Sequence, residues 1–381
     1  MILAPEANIP VDAVDEPLGT VKVPESESLT NVIDLTVRDV GEKALLRDVI
    51  WPLCRGALVP LGVGDDAAVL SVPAGYNLLV STDKIPTDLL AMQLGLMTWG
   101  EYGRYLAAVN ISDIAAMGGI PTALLSTLAL PSNFRVQHLK EFYAGFVAGG
   151  QEFGVPVVGG DLGENSTLCV SATILGIVET NCELRRSTAK PGDVVFTTGQ
   201  LGGFSTALAY FISAKPNGFS LSNDYEKYLK DKLTNPQPRV SIGRSLSLSK
   251  VCTSCQDVTD GVGRTLHEIA VASQVSFDII WDRIPVHPAS QLVANFLAIP
   301  VEELIFGIGL DLELVGTLDR MALQTPLLKD PAISVIGDVL SGGKNTVMKD
   351  GSKNELSSKG WQHFVGDPLE IARRNYANRV G

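Results

Sequence analysis

Residues 101–130 read EYGRYLAAVNISDIAAMGGIPTALLSTLAL, and two periods follow one another in that stretch. Through Glu101–Met117 the residues Tyr105, Ala108, Val109, Ser112 and Ala116 recur at helical spacing and crowd small side chains onto one stripe, which predicts a closely packed helix. Leu124–Leu130 is a short apolar run that predicts a strand. Working outward, His138–Phe153 reads as a long helix, and Val155–Val158 and Leu168–Val178 read as strands. Upstream, Leu45, Leu46, Val49, Ile50 and Leu53 recur at helical spacing across Val40–Cys54. Ala67–Val72 and Tyr76–Thr82 predict two strands joined by a turn at Pro73-Ala74-Gly75. This alternation indicates an α/β or α+β domain.

The polar, basic stretch Arg185-Arg186-Ser187-Thr188-Ala189-Lys190-Pro191-Gly192-Asp193 reads as the link to a second domain. Beyond it come a strand Val194–Thr198, the glycine loop Gly199-Gln200-Leu201-Gly202-Gly203 and a helix from Ser205. Such a loop can cradle phosphate, but it matches neither the P-loop nor the dinucleotide fingerprint. Helices at Val240–Leu248 and Val262–Ala272, strands at Phe277–Trp281 and Asp311–Leu318, and an exposed loop at Ser341–Ser358 complete the expectation. The domain boundaries expected are an N-terminal arm at 1–38, rich in Pro, Glu, Val and Asp, then 39–182 and 183–381.

Five short acidic segments recur along the chain: Gly64-Asp65-Asp66, Ser81-Thr82-Asp83, Ser112-Asp113, Gly159-Gly160-Asp161 and Asp257-Val258-Thr259-Asp260. They read as turns, most of them at the end or start of an apolar segment. A single Asp there serves equally well as a helix cap or turn closer. Acids gathered from distant segments suit hard cations, since Mg²⁺ combines carboxylates with phosphate oxygens and water. Metal-assisted chemistry on a nucleotide is the reading that unites them.

The bulk properties agree. A chain of 381 residues with 45% hydrophobic and 19% charged residues is long enough for two cores. A net charge of −12 without clustered Lys and Arg excludes a nucleic-acid binder, and bound divalent cations would let an acidic protein hold an acidic nucleotide. Five cysteines suit a reducing cytoplasm rather than a disulfide scaffold. Cys252-Thr253-Ser254-Cys255 has the spacing of a redox or half-zinc motif, with no second pair to complete it. No apolar run approaches the length of a membrane span, and Met1–Pro10 lacks the pattern of a signal peptide.

In order and spacing these segments resemble the thiamine-monophosphate kinases, within the superfamily that includes aminoimidazole ribonucleotide synthetase, selenophosphate synthetase and the hydrogenase maturation dehydratase. The stretches that carry the resemblance include Gly62-Val63-Gly64-Asp65-Asp66-Ala67-Ala68, Ser81-Thr82-Asp83 and Ala107–Gly118. Gly159-Gly160-Asp161, Arg186–Asp193, Asp257–Gly261 and Gly360-Trp361-Gln362-His363-Phe364 continue it. The resemblance implies a two-domain, PurM-like α+β fold. Its N-terminal domain would close a β-barrel with a second subunit of a homodimer, and ATP would bind between the domains. It also implies that Asp66, Asp83, Asp113, Asp161, Asp257 and Asp260 hold Mg²⁺ with help from Ser81 and Thr82. Asp66, Asp161 and Asp260 would stand closest to the chemistry. Gly160 would admit the nucleotide, Arg186 would contact phosphate, and Thr259 would meet the nucleotide from the second domain.

The acceptor side departs from the family. Lys84-Ile85-Pro86-Thr87-Asp88-Leu89-Leu90 lacks the His-Phe element that follows the Ser-Thr-Asp strand in these kinases. Their Gly-Gly-Glu-Asp-Tyr-Glu-Leu signature is reduced to Ile308-Gly309-Leu310-Asp311-Leu312-Glu313-Leu314. Asp311 is expected to keep a substrate contact. Trp361 offers an aromatic wall for a flat acceptor, and core packing accounts for it as well. His363 reads as a helix-end or core residue or as a catalytic one. The expectation is an ATP- and Mg²⁺-dependent phosphotransferase acting on a small acceptor other than thiamine monophosphate. Amide or carboxylate activation of the synthetase or dehydratase type, and a non-catalytic nucleotide-binding dimer, are the alternatives.

Overall fold

The computed structural model describes residues 35–54, 70–87, 89–358 and 360. Most of the N-terminal arm, the Gly62–Ala68 stretch with Asp66, and Trp361 and His363 lie outside the described residues.

The chain enters through short helical turns α1 (Val37–Val40), α2 (Glu42–Leu45) and α3 (Trp51–Cys54), with a π-helical turn at Leu46–Ile50 between the last two. Of the periodic residues Leu45, Val49 and Ile50 are buried and Leu46 and Leu53 partly so, with Cys54 buried beside them. Strand β1 (Tyr76–Ile85), α4 (Leu90–Gln93), α5 (Trp99–Ala116), β2 (Ile120–Leu130), α6 (Val136–Gln151), β3 (Val157–Glu164) and β4 (Cys169–Glu179) follow. Their strands form a four-stranded sheet of order β1-β4-β2-β3. Helix α5 starts at a capping box: the Glu101 amide donates to Thr98 Oγ1 at 3.2 Å, and the Thr98 amide donates to the Glu101 carboxylate at 2.7 Å. Tyr102, Leu106, Ile111 and Ile114 of α5 are fully buried, together with Leu139 and Phe146 of α6, Leu124 and Leu128 of β2, and Ile174 of β4. Most residues of α5 are buried, the polar Asn110 and Ser112 included, and the helix lies between its own sheet, α6 and the second half of the chain.

That half holds β5 (Val194–Thr198), α7 (Gly203–Ala209), α8 (Asn223–Thr234), α9 (Val240–Ser249), β6 (Cys252–Asp257), α10 (Val262–Ser273) and β7 (Ser276–Ile280). It continues through α11 (Pro288–Phe296), α12 (Val301–Ile305), β8 (Leu314–Leu318), β9 (Ile333–Leu340), β10 (Thr346–Lys349) and β11 (Ser352–Glu355). The strands make a seven-stranded mixed sheet of order β11-β10-β7-β9-β5-β8-β6. The molecule is thus α+β with two sheets. Among the described residues no helix is long and apolar enough to cross a membrane.

Several elements differ from expectation. Ser81-Thr82-Asp83 and Gly159-Gly160-Asp161 lie inside β1 and β3 rather than in turns, because both strands run on: β2 pairs with β3 as far as Leu130 opposite Glu164. Ser112-Asp113 lies within α5. Residues 70–72 form no strand, and β8 starts at Leu314, not at Asp311. The stretch expected as an exposed loop at Ser341–Ser358 contains the β10–β11 hairpin, whose first strand pairs with β7.

Candidate metal and nucleotide site

Alternation along β1 puts Ser81 and Asp83 on one face and Thr82 on the other. The Ser81–Asp83 face meets α5, where Asn110 and Asp113 stand three residues apart and so share a side of the helix. Ser81 Oγ donates to Asp113 Oδ2 at 2.6 Å, and the Asp83 amide donates to Asn110 Oδ1 at 3.1 Å. One residue earlier on α5, Ser112 Oγ donates to Asp257 Oδ2 at 2.5 Å. Asp257 is the last residue of β6, so α5 ties an acid from each sheet to its own.

Burial drives the electrostatics. It pushes the Asp113 carboxyl up to about 8, with the fields of Asp257 and Asp83 adding to the rise and the Ser81 hydroxyl opposing it. Burial also raises Asp257 to about 6, against the Ser112 hydrogen bond, and raises Asp83. Among the described residues none of the three forms a salt bridge with Lys or Arg. Carboxylates drawn half or wholly out of water and facing one another without a salt bridge match the donor chemistry of a hard cation such as Mg²⁺. No group of three or more His, Cys, Asp and Glu among the described residues encloses a metal by itself. The acids supply part of a coordination sphere, as a Mg²⁺ shared with phosphate and water requires.

The other expected residues are distributed around this core. Thr82 turns to the opposite face and donates to the Ala172 carbonyl at 2.9 Å, which takes its hydroxyl away from the Asp83 group. Asp161 is exposed on β3, across the sheet from β1 and opposite Thr127. Three strand spacings put it roughly 14 Å away in the sheet. A Cβ on Gly160 would lie 2.3 Å from the Ser126 carbonyl oxygen, so the β2–β3 approach itself demands glycine there. Thr259 and Asp260 occupy the half-buried turn between β6 and α10. Arg186 is exposed, pairs with Glu268 at 3.5 Å, and its charge reaches Asp257. Asn110 and Ser112 did not enter the expected set of site residues. A buried Asn inside a helix, where its propensity is poor, is the signal that marks Asn110.

Asp311 holds the glycine loop. Its two carboxylate oxygens accept from the Gly202 amide at 2.7 Å and the Phe204 amide at 2.9 Å, and the residue is buried. Those amides are therefore engaged, and any influence of Asp311 on a substrate passes through the loop. Two residues on, the fully buried Glu313 accepts from Thr198 Oγ1 at 2.8 Å and from both ends of the Arg239 fork, at 2.7 and 2.5 Å. Between them Leu312 takes a left-handed backbone, φ 51°, a conformation that costs about 1–3 kcal/mol for a residue with a side chain. That bend lets the Leu312 amide donate to the Val258 carbonyl at 3.1 Å while the Val258 amide donates to Glu313 O at 2.9 Å, fixing the strand end that carries Asp257. Leu312 is buried in the core, so its side chain does not line a cleft. A separate cavity of about 330 Å³ lies between α1 and the ends of β2 and β3, lined by Val37, Arg38, Leu45, Leu130, Leu162 and Glu164 among others and by none of the acids above.

Comparison with known proteins identifies the family. Residues 64–178 match the family of AIR synthase related proteins, N-terminal domain. The thiamine-monophosphate kinase of Bacillus subtilis is 34% identical over 321 residues, covering 80% of this chain and 94% of that enzyme. The crystal structure of the thiamine-monophosphate kinase from Stenotrophomonas maltophilia superposes with a TM-score of 0.66 at 28% identity, over 80% of this chain and 94% of that one. AaThiL, solved in complex with AMPPCP and TMP, shares the fold at a TM-score of 0.66 and 24% identity, over 87% of this chain and all of its own. Identity at that level along almost the whole of the Bacillus enzyme makes this chain a member of the thiamine-monophosphate kinase family.

Proposed function

We propose that the protein is an ATP-dependent kinase that uses Mg²⁺ held by Asp83, Asp113 and Asp257. The observation that carries this reading is the convergence of those carboxylates from β1, α5 and β6 with no salt bridge to Lys or Arg among the described residues, in a chain 34% identical to a thiamine-monophosphate kinase. Asp66, Asp161 and Asp260 are proposed as further acids of the same machinery, and Gly160, Arg186 and Thr259 as its nucleotide contacts. Bound there, Mg²⁺ would neutralise phosphate charge and stabilise the transferring group. The chain's own part is positional: Ser81 and Ser112 orient two of the carboxylates, Asn110 fixes the backbone of Asp83, and the Leu312–Val258 pairing sets Asp257. No side-chain nucleophile is needed in phosphoryl transfer of this kind.

The acceptor is proposed to be a small molecule other than thiamine monophosphate. The absence of a His-Phe element after Asp83 and of an acid at Leu310 supports this, because a polar ligand loses hydrogen-bonding partners there. The burial of Leu312 removes that position from the contrast. The identity to the Bacillus enzyme favours a second reading, thiamine monophosphate itself. A steady-state assay with ATP, Mg²⁺ and thiamine monophosphate, followed by ADP release, separates them. Catalytic efficiency above roughly 10⁴ M⁻¹s⁻¹ establishes the second reading; ATP binding with negligible turnover supports the first. A homodimer closing the N-terminal sheet, in a reducing cytoplasm suited to five free thiols, completes the proposal.

A further inference from the structure

Cys252-Thr253-Ser254-Cys255 lies in β6, where a regular strand would turn its first and last side chains to opposite faces. A bulge prevents this. Cys252 pairs with Leu318 and Cys255 with Gly316, so three steps of β6 run against two of β8, and Thr253 is the extra residue. The hydroxyls record the same arrangement. Thr253 Oγ1 and Ser254 Oγ both meet Thr317 Oγ1, at 2.6 and 2.8 Å, so two successive side chains share one face. Cys252 and Cys255 are left together on the other face. Cys255 belongs to the apolar cluster that holds Leu184, Leu246 and Leu318, and Cys252 packs against it. There the Cys255 thiol hydrogen-bonds to Cys252, whose own thiol donates to the Ser254 carbonyl at 3.3 Å. The two thiols are therefore neighbours by register, by packing and by direct contact. Cys255 is buried and Cys252 half-buried, so a small oxidant reaches one member of the pair from solvent.

We propose that Cys252 and Cys255 form a reversible disulfide, a redox site on the strand that ends in Asp257. Hydrogen peroxide oxidises Cys252 first: its O–O bond breaks, one oxygen bonds to the sulfur as a sulfenic acid, and the other leaves as water. The Cys255 sulfur then attacks the Cys252 sulfur. The S–O bond breaks, the S–S bond forms, and the second oxygen leaves as water with the Cys255 thiol hydrogen. Two thiols have given up two electrons and two hydrogens, and the peroxide has become two waters. A dithiol reductant returns both by exchange. Two steps of strand span about 6.8 Å, the upper end of the roughly 4.4–6.8 Å between Cα atoms that a disulfide bridges, and the twist at a bulge shortens it. A link formed at that limit is readily reduced, as a switch requires. Closing it draws Cys255 toward Cys252. The Cys255 amide donates to the Arg185 carbonyl at 3.1 Å, next to Arg186, and Asp257 follows two residues on with its carboxylate on Ser112. Resting on the metal and nucleotide reading above, oxidation would thus disturb both and weaken Mg²⁺-dependent ATP binding.

Intact-mass measurement and peptide mapping of the full chain after hydrogen peroxide, with and without dithiothreitol, test the bond. The expected result is a loss of two hydrogens and a peptide in which Cys252 and Cys255 both resist alkylation, each reversed by dithiothreitol. Cys252→Ser and Cys255→Ala each abolish the loss, and Cys182→Ser keeps it; matched thermal unfolding shows that the variants fold. Full alkylation of Cys252 and Cys255 in the peroxide-treated parent chain overturns the proposal. So does oxygen retained on Cys252 with Cys255 free, or a bond from either to Cys182. Calorimetric titration of ATP with Mg²⁺ tests the coupling: the oxidised parent chain is expected to bind roughly threefold or more weakly than the reduced one, and Cys252→Ser to bind alike with and without peroxide. Equal affinity of the oxidised and reduced parent overturns the coupling. A reduced chain that binds no ATP removes the nucleotide reading and the coupling with it, while the mass result still decides the bond.

Discussion

Asp113, itself half-buried, stands between half-buried Asp83 and buried Asp257, and among the described residues hydroxyl groups rather than a cation steady the set. Like charges in a desolvated site repel, so the folded chain without metal is held back by the same acids that would bind one. Asp113→Asn should therefore leave metal-free thermal stability unchanged or higher, while weakening Mg²⁺-dependent ATP binding at least tenfold, about 1.4 kcal/mol. Calorimetric titration of ATP with and without Mg²⁺ checks this; equal affinity under both conditions in the parent chain would remove the metal from the account. Asp161 poses the complementary case. Its side chain is exposed on β3, so Asp161→Asn should leave the unfolding midpoint within experimental scatter while lowering ATP affinity. A variant that binds ATP as tightly as the parent would place Asp161 outside the site.

Helix α9 fits against α5 so closely that a Cβ on Gly243 would lie 2.1 Å from the Ala115 carbonyl oxygen. That oxygen belongs to backbone and cannot swing aside. Gly243→Ala should push the two helices apart, lower stability by about 1–3 kcal/mol in urea unfolding, and weaken ATP binding through the shift of Asp113. A variant unchanged in both would show that the joint between the sheets yields freely. The elements meeting at this joint were legible to different degrees. Helices α5, α6, α9 and α10 announce themselves by period, because each buries a stripe or more of its surface. Gly159-Gly160-Asp161 reads as a turn since glycine weakens a strand, and only the carbonyl of Ser126, distant in sequence, explains why glycine is required within β3. Asn110 and Glu313 were invisible as parts of one arrangement for the same reason. Their partners, Asp83 and Arg239, come from other elements, and sequence spacing carries no record of that meeting.

The outer face of the four-stranded sheet carries exposed apolar residues at the scale of the whole molecule. Leu78, Ile177 and Ile120 lie side by side across β1, β4 and β2, and Val80 stands next to Leu175 one step along. Leu78 is 47% exposed, Val80 61% and Ile120 38%, although α5 covers the opposite face completely enough to bury Ala172, Ile174 and Val178. Contiguous apolar surface on a sheet whose edge strand β1 pairs only with β4 among the described residues invites either aggregation or a matching copy. A two-fold partner presenting the same face buries both at once, since residues that meet across such an axis are the same on each side. Sedimentation velocity at micromolar concentration should therefore show a homodimer. Val80→Lys sets a charge in the middle of each apposed face, close to its own copy if β1 lies near the axis, and should shift the chain to monomer with its secondary structure intact. A parent chain that sediments as a stable monomer, or a Val80→Lys variant that remains dimeric, would mean that this face is not where two copies meet.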